Sequence, residues 1–203
     1  LRKGDRVAAY VPNKIESIIC FLACAKNGII WSSCSPDFGA QGVVDRFKQI
    51  EPKVFITCDY YYYNGKKINI LDKVEEILKQ IPSIKKVIAF NYNKKERESL
   101  KNFINFEETL KNDLDEVFER FEFNHPIYIL FSSGTTGKPK CITHGSGNVL
   151  IEHNKEFMLH CDIRENEKLF YYTTTGWMMW NWLVGGLATG SSIFLFDGAP
   201  VYP

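Results

Sequence analysis

Two hydrophobic periods alternate along this chain. Residues 6–12, "RVAAYVP", form a short apolar run of strand length. From 13 to 27 the apolar residues Ile15, Ile18, Ile19, Leu22 and Ala23 recur at helical spacing, and Asn27-Gly28 supplies a stop. A second helix is predicted over 40–50, closed by Glu51-Pro52, and a buried strand over 53–59. An amphipathic helix over 70–80 ends before Pro82, and "KVIAF", 86–90, is another strand. The polar stretch 91–102 predicts an exposed excursion. Residues 127–133, "IYILFSS", give the clearest buried strand; a helix over 148–160 and strands over 168–175 and 192–198 follow. No repeat or low-complexity linker interrupts the pattern. Strands alternating with helices predict an α/β fold with mostly parallel sheets flanked by helices.

Composition narrows the partners. Hydrophobic residues make up 45% and charged residues 24%, as in an ordinary globular domain. The net charge is +1, from 25 basic and 24 acidic residues, so nothing global argues for nucleic acid or an anionic membrane surface. The longest apolar run, near 15–30, is broken by Glu16, Lys26 and Asn27 and predicts no membrane span. Partners must therefore be argued from a site. Six scattered cysteines without a CxxC pair suit a reducing, cytoplasmic setting, with Cys20 and Cys24 as small buried groups on one helix face. The four histidines do not join them at ligand spacing, so no metal site is predicted. The start "LRKGDRVAAY" and the end "DGAPVYP" read as cuts within a longer polypeptide.

The densest chemistry lies in "FSSGTTGKPK", 131–140. Gly134 and Gly137 allow close backbone approach to a ligand. The hydroxyls of Ser132, Ser133, Thr135 and Thr136 can donate to phosphate oxygens, Lys138 and Lys140 bring positive charge, and Pro139 stiffens the exit. The glycine spacing is not that of a P-loop, which needs four residues between its glycines and Ser/Thr after the lysine.

The unbroken run "YILFSSGTTGKPK" resembles the signature of the adenylate-forming superfamily, which includes acyl-CoA synthetases, peptide-synthetase adenylation domains and luciferases. The resemblance implies that Ser132, Ser133, Gly134, Thr135, Thr136 and Gly137 cradle the ATP phosphates, with Lys140 as their cation. Lys140, Thr135 and Thr136 would act on the leaving pyrophosphate. It also implies MgATP and CoA as the other reactants.

A second constellation, "TTTGWMMWNWLVGG", spans 173–186. Gly176-Trp177 is predicted at a strand-to-helix turn facing the ligand edge of a parallel sheet. Trp177, Met178 and Met179 read as pocket residues; Trp180 and Trp182 read as core. Together with "HGSGNVLIEH" (144–153) and "WSSCSPDFGAQGVVDRFKQIEPKV" (31–54), this stretch is similar to the acetoacetate-activating group within the superfamily. That likeness runs over almost the whole chain and implies acetoacetate as the acid. It also implies that Ser35–Gly39 lie along the path of CoA and that Lys66 or Lys67 meets its 3′-phosphate, where relatives usually carry arginine. Read alone, that pair is a solvated start to the following helix.

The expected product is acetoacetyl-CoA, made through an acetoacetyl-adenylate. The chain, 1–203, would be part of a large N-terminal adenylation domain, with the rest of that domain and a small C-terminal domain lying beyond it, and would be inactive alone. Acetyl- or propionyl-CoA synthesis and a non-catalytic nucleotide-binding module are the competing readings.

Overall fold

A computed structural model describes residues 1–95, 102–110, 118–132 and 137–202. Its elements run in the order β1 (Arg6–Tyr10), α1 (Ile15–Lys26), β2 (Ile30–Cys34), α2 (Ala40–Ile50), β3 (Val54–Cys58), β4 (Tyr60–Tyr63), β5 (Lys66–Asn69) and α3 (Leu71–Gln80). There follow β6 (Lys86–Phe90), β7 (Ile104–Asn105), α4 (Phe106–Thr109), β8 (Pro126–Ser132), β9 (Lys140–Gly145), α5 (Ser146–Lys155), β10 (Lys168–Leu169), α6 (Met178–Gly185) and β11 (Ser192–Ile193).

Seven strands form the main sheet in the order β7-β6-β3-β1-β2-β8-β9. Every neighbouring pair is parallel except β8 with β9, which is antiparallel. The central strands β1, β2 and β3 are buried along nearly their whole length, as strands covered on both faces must be. Helices sit on both sides: Phe47 of α2 meets Phe55 edge-on at 6.2 Å, while Cys20 and Cys24 of α1 line a groove with Val54 and Ile56. A second aromatic cluster, Phe21, Trp31 and Trp180, joins α1, β2 and α6, with the two indoles stacked at 6.2 Å.

Several expectations from the sequence need correction. On α1 the buried positions are Glu16, Ser17, Ile18, Cys20, Phe21 and Cys24, whereas Ile15, Ile19 and Leu22 are exposed. The helix is apolar on two sides, and spacing alone cannot say which one meets the sheet. Lys66 and Lys67 do not begin a helix. They open β5, which pairs antiparallel with β4 through the turn Asn64-Gly65. Both turn residues have positive φ, 47° and 69°, the backbone of a tight hairpin that Asn-Gly favours.

Strand β9 was not anticipated, because "KCITHG" is a largely exposed edge strand without apolar alternation. Strand β8, expected as the clearest buried strand, is only partly buried, with Tyr128 and Ile129 as its buried positions. The strands expected over 168–175 and 192–198 pair only at β10 and β11, and the rest carries no regular secondary structure. The excursion from 91 is not exposed at its start: Asp59 accepts from the Asn91 side chain at 2.9 Å and from the Tyr92 backbone at 2.8 Å. Residues 96–101 of that stretch lie outside the described residues.

Candidate active site

Because β1, β2, β3, β6 and β8 run in one direction, the loops after them gather at a single sheet edge. Ligands in α/β sheets bind at that carboxyl edge. Asn13 follows β1, Ser35 and Asp37 follow β2, the β4–β5 hairpin follows β3, and Tyr92 follows β6. The segment 171–180 crosses this edge and is fastened to it. Thr175 donates from its hydroxyl to the Val11 carbonyl at 2.6 Å, and Ser33 donates to the Thr175 carbonyl at 2.6 Å. Trp180 donates from its indole to Asn13 Oδ1 at 2.9 Å, and the Asn13 amide donates to the Phe196 carbonyl at 3.2 Å.

These ties frame a cavity of about 370 Å³, within the usual range for small-molecule sites. Trp177 and Met179 form one wall, Tyr61, Tyr62 and Tyr63 another, and Asp37 and Asp197 add carboxylates. Trp177 is 66% exposed at the N-terminal end of α6, with its side chain turned to the cavity mouth and not to the core. Trp180, one helical turn on, is fully buried, and Trp182 packs against Phe157 at 4.6 Å. Met178 is 51% exposed and lies outside the cavity lining.

The turn at 35–39 is held from below. The Tyr10 hydroxyl lies 2.7 Å from the carbonyl oxygens of both Pro36 and Phe38, and burial pushes its pKa up. Burial likewise pushes the Cys34 thiol up to about 12, so it behaves as packing and not as a nucleophile. Lys67 stands 3.9 Å from the centre of the Tyr60 ring, and Lys66 is exposed at the hairpin end.

The phosphate-loop candidate connects β8 to β9. Ser132 ends β8 and pairs with Lys140 at the start of β9. Lys140 is exposed, and Gly137 holds φ at 126°, with open space where a side chain would stand. Gln49, in the last turn of α2, donates to the Pro139 carbonyl at 2.8 Å and fixes the loop exit. Ser133, Gly134, Thr135 and Thr136 lie outside the described residues. Among the described residues no three His, Cys, Asp or Glu side chains gather to hold a metal ion, and no helix is long and apolar enough to cross a membrane.

The spacing patterns pointed to Trp177 but passed over the tyrosine wall, Asn13 and Asp197. The four tyrosines 60–63 followed by Asn-Gly were a readable hairpin signal. Asn13 and Asp197 carried none, being single polar residues 184 positions apart.

Residues 1–203 match the AMP-binding enzyme family. The chain is 50% identical to the acetoacetyl-coenzyme A synthetase of Rhizobium meliloti, a match that covers 98% of this chain and 31% of that protein. It is 46% identical to the acetoacetyl-CoA synthetase of Gallus gallus, again over 98% of this chain and 31% of the relative. A malonamoyl-CoA synthetase of Penicillium aethiopicum is 39% identical over all of this chain and 29% of its own length. Among solved structures, acetoacetyl-CoA synthetase from Streptomyces lividans matches with a TM-score of 0.95 at 44% identity, covering 100% of this chain and 31% of that one. The chain thus spans about a third of the length of the relatives it matches.

Proposed function

The chain belongs to the family of AMP-binding enzymes, and from this we propose that it is part of the large adenylation domain of an acetoacetate–CoA ligase. In the longer protein the carboxylate of acetoacetate attacks the α-phosphorus of ATP, forming acetoacetyl-adenylate and releasing pyrophosphate. The thiolate of CoA then attacks the acyl carbonyl, forming acetoacetyl-CoA and releasing AMP. The supporting observation is geometric: β8 runs parallel to β2 and ends at Ser132 on the same sheet edge as the Trp177 cavity, so a polyphosphate and an acid can meet there.

In this reading Ser132, Ser133, Gly134, Thr135, Thr136 and Gly137 offer hydroxyl and backbone N–H donors to the ATP phosphates. Lys140 neutralises charge on the leaving pyrophosphate. Trp177 and Met179 form the acid side; Met178, expected there from the sequence, lies outside the cavity lining. The turn Ser35–Gly39 and the hairpin lysines Lys66 and Lys67 form the CoA side. Mg²⁺ would arrive with ATP, held mainly by phosphate oxygens.

The malonamoyl-CoA synthetase relative favours one second reading. Malonamate and acetoacetate both carry a carbonyl at the 3-position, so the pocket would select that group and tolerate either a methyl or an amino group beyond it. ATP–pyrophosphate exchange by the full-length protein across acetate, propionate, acetoacetate and malonamate tests both readings. Exchange with acetoacetate well above acetate is the expected result; preference for acetate or propionate defeats the assignment of the acid, and no exchange with any acid favours a non-catalytic binding module.

A further inference from the structure

The exit of the loop between β8 and β9 is held by a side chain with no part in the chemistry above. Strand β9 stands at the sheet edge, paired among the described residues only with β8, and its first four positions are exposed. Such a strand takes its place from few contacts. Gln49, itself exposed in the last turn of α2, supplies two of them. Its Nε2 donates to the Pro139 carbonyl at 2.8 Å, and its Oε1 accepts from the Cys141 thiol at 3.7 Å. The same Nε2 donates to the Asp45 carbonyl, one turn back on α2, at 2.7 Å. Both amide hydrogens thus meet carbonyl oxygens, and turning the amide over would set Oε1 against two acceptors. Its partners fix the orientation, and Gln49 binds the chain immediately before and immediately after Lys140.

The strand pleat separates this brace from the cation. Cys141 pairs with Phe131, whose ring lies 6.5 Å from that of Phe47 on α2, so both positions face that helix. Lys140 and its partner Ser132 are each one residue away and take the opposite face. Tyr128 shares that face, with its ring 6.2 Å from Phe21 of α1, and Phe21 in turn lies 5.8 Å from Trp180 of α6. Gln49 therefore holds the backbone around Lys140 from the α2 side, while the ammonium belongs to the side of α1 and α6. Gln49, Pro139, Lys140 and Cys141 all stand outside the lining of the Trp177 cavity.

We propose that Gln49 is a positioning residue for the ATP phosphates: by fixing the chain on both sides of Lys140, it sets where that cation meets the leaving pyrophosphate. The proposal rests on the reading of the β8–β9 connection as the phosphate loop. Gln49 is exposed, so its replacement should leave the fold intact and show in kinetics. The test is ATP–pyrophosphate exchange by the full-length protein, run with the acid that the wild type prefers. Gln49→Met keeps the length of the side chain and removes its donor and acceptor. KM for ATP and for pyrophosphate is expected to rise about fivefold, the size of one neutral hydrogen bond, while KM for the acid changes less than about twofold. On a Lys140→Ala background the same substitution should change KM for ATP less than about twofold, because Gln49 acts through that lysine. Full additivity of the two substitutions, or equal rises in KM for ATP and for the acid, overturns the proposal. So does a lowered urea midpoint with unmoved constants, which would leave Gln49 serving only its helix. The two readings fail differently. If Lys140→Ala leaves ATP kinetics unchanged, the phosphate loop itself is misassigned and the Gln49 proposal falls with it. If Lys140→Ala weakens ATP use and Gln49→Met does not, only the Gln49 proposal is lost.

Discussion

Thr175 and Val11 are 164 positions apart in sequence, yet the threonine hydroxyl donates to the valine carbonyl over 2.6 Å in a fully buried setting. With the Ser33 bond to the Thr175 carbonyl, it fixes where the segment 171–180 crosses the sheet edge and so where Trp177 stands. Thr175→Val keeps shape and removes the donor. The loss leaves a buried carbonyl unpaired and should cost about 1–3 kcal/mol. Urea unfolding of the full-length protein checks this, with a lower midpoint at unchanged slope as the expected outcome. A midpoint equal to wild type would mean that water or a backbone shift replaces the bond.

Trp177 and Trp180 make opposite predictions from one helical turn. Trp180 is fully buried between Trp31 and Phe21 and hydrogen-bonded to Asn13, so Trp180→Ala should cost about 3–5 kcal/mol. Trp177 is mostly exposed, and Trp177→Ala should leave stability within about 0.5 kcal/mol. Its effect belongs on acid choice, read as a change in the ratio of exchange rates between acetoacetate and acetate. A shift confined to the KM for ATP would move Trp177 out of the acid pocket.

How much of this was legible follows from where the signals sit. Helix α2 was readable to its ends because Glu51, in the left-handed region at φ 47°, and Pro52 punctuate it, and β6 because five apolar-rich residues stand between lysine-rich turns. The β4–β5 hairpin was missed because "YYYY" has no polar alternation, although the Asn-Gly turn was visible. Stretches such as 170–174 look like strands in sequence, but strand identity requires a partner, and in 168–175 only Lys168 and Leu169 find one. The cavity with its tyrosine wall and Asp197 forms by convergence of residues after β1, β2, β3 and β11. No local window contains that information.

Lys140 offers a prediction about charge. It is exposed at the first position of β9, next to Ser132 across the hairpin, and no ion pair to it is formed among the described residues. In the full-length protein Lys140→Ala should lower kcat/KM for ATP by the roughly 1.5–3 kcal/mol of a charge-assisted contact, about ten- to hundredfold. Stability should change little, because nothing buried depends on the ammonium. Unchanged ATP kinetics would remove Lys140 from the phosphate site.

His153 gives the protein an acid-sensitive point. It lies on α5, buried against Gly185 and near the Phe157 ring, and desolvation lowers its pKa below the ordinary histidine value. Glu152 and Glu156 oppose that shift, and the neighbouring His144 adds to it. A base with a depressed folded pKa binds fewer protons folded than unfolded. Its contribution to stability is therefore present above about 6.5 and is lost as pH falls through the folded value. The slope from one such histidine cannot exceed about 1.4 kcal/mol per pH unit. Urea midpoints should fall between pH 7.5 and 5.5 in the wild-type protein and fall less in His153→Gln, with the remaining dependence coming in part from His144, whose pKa is also lowered by burial. Identical pH dependence in the two proteins would show that His153 takes up its proton in the folded state at no cost.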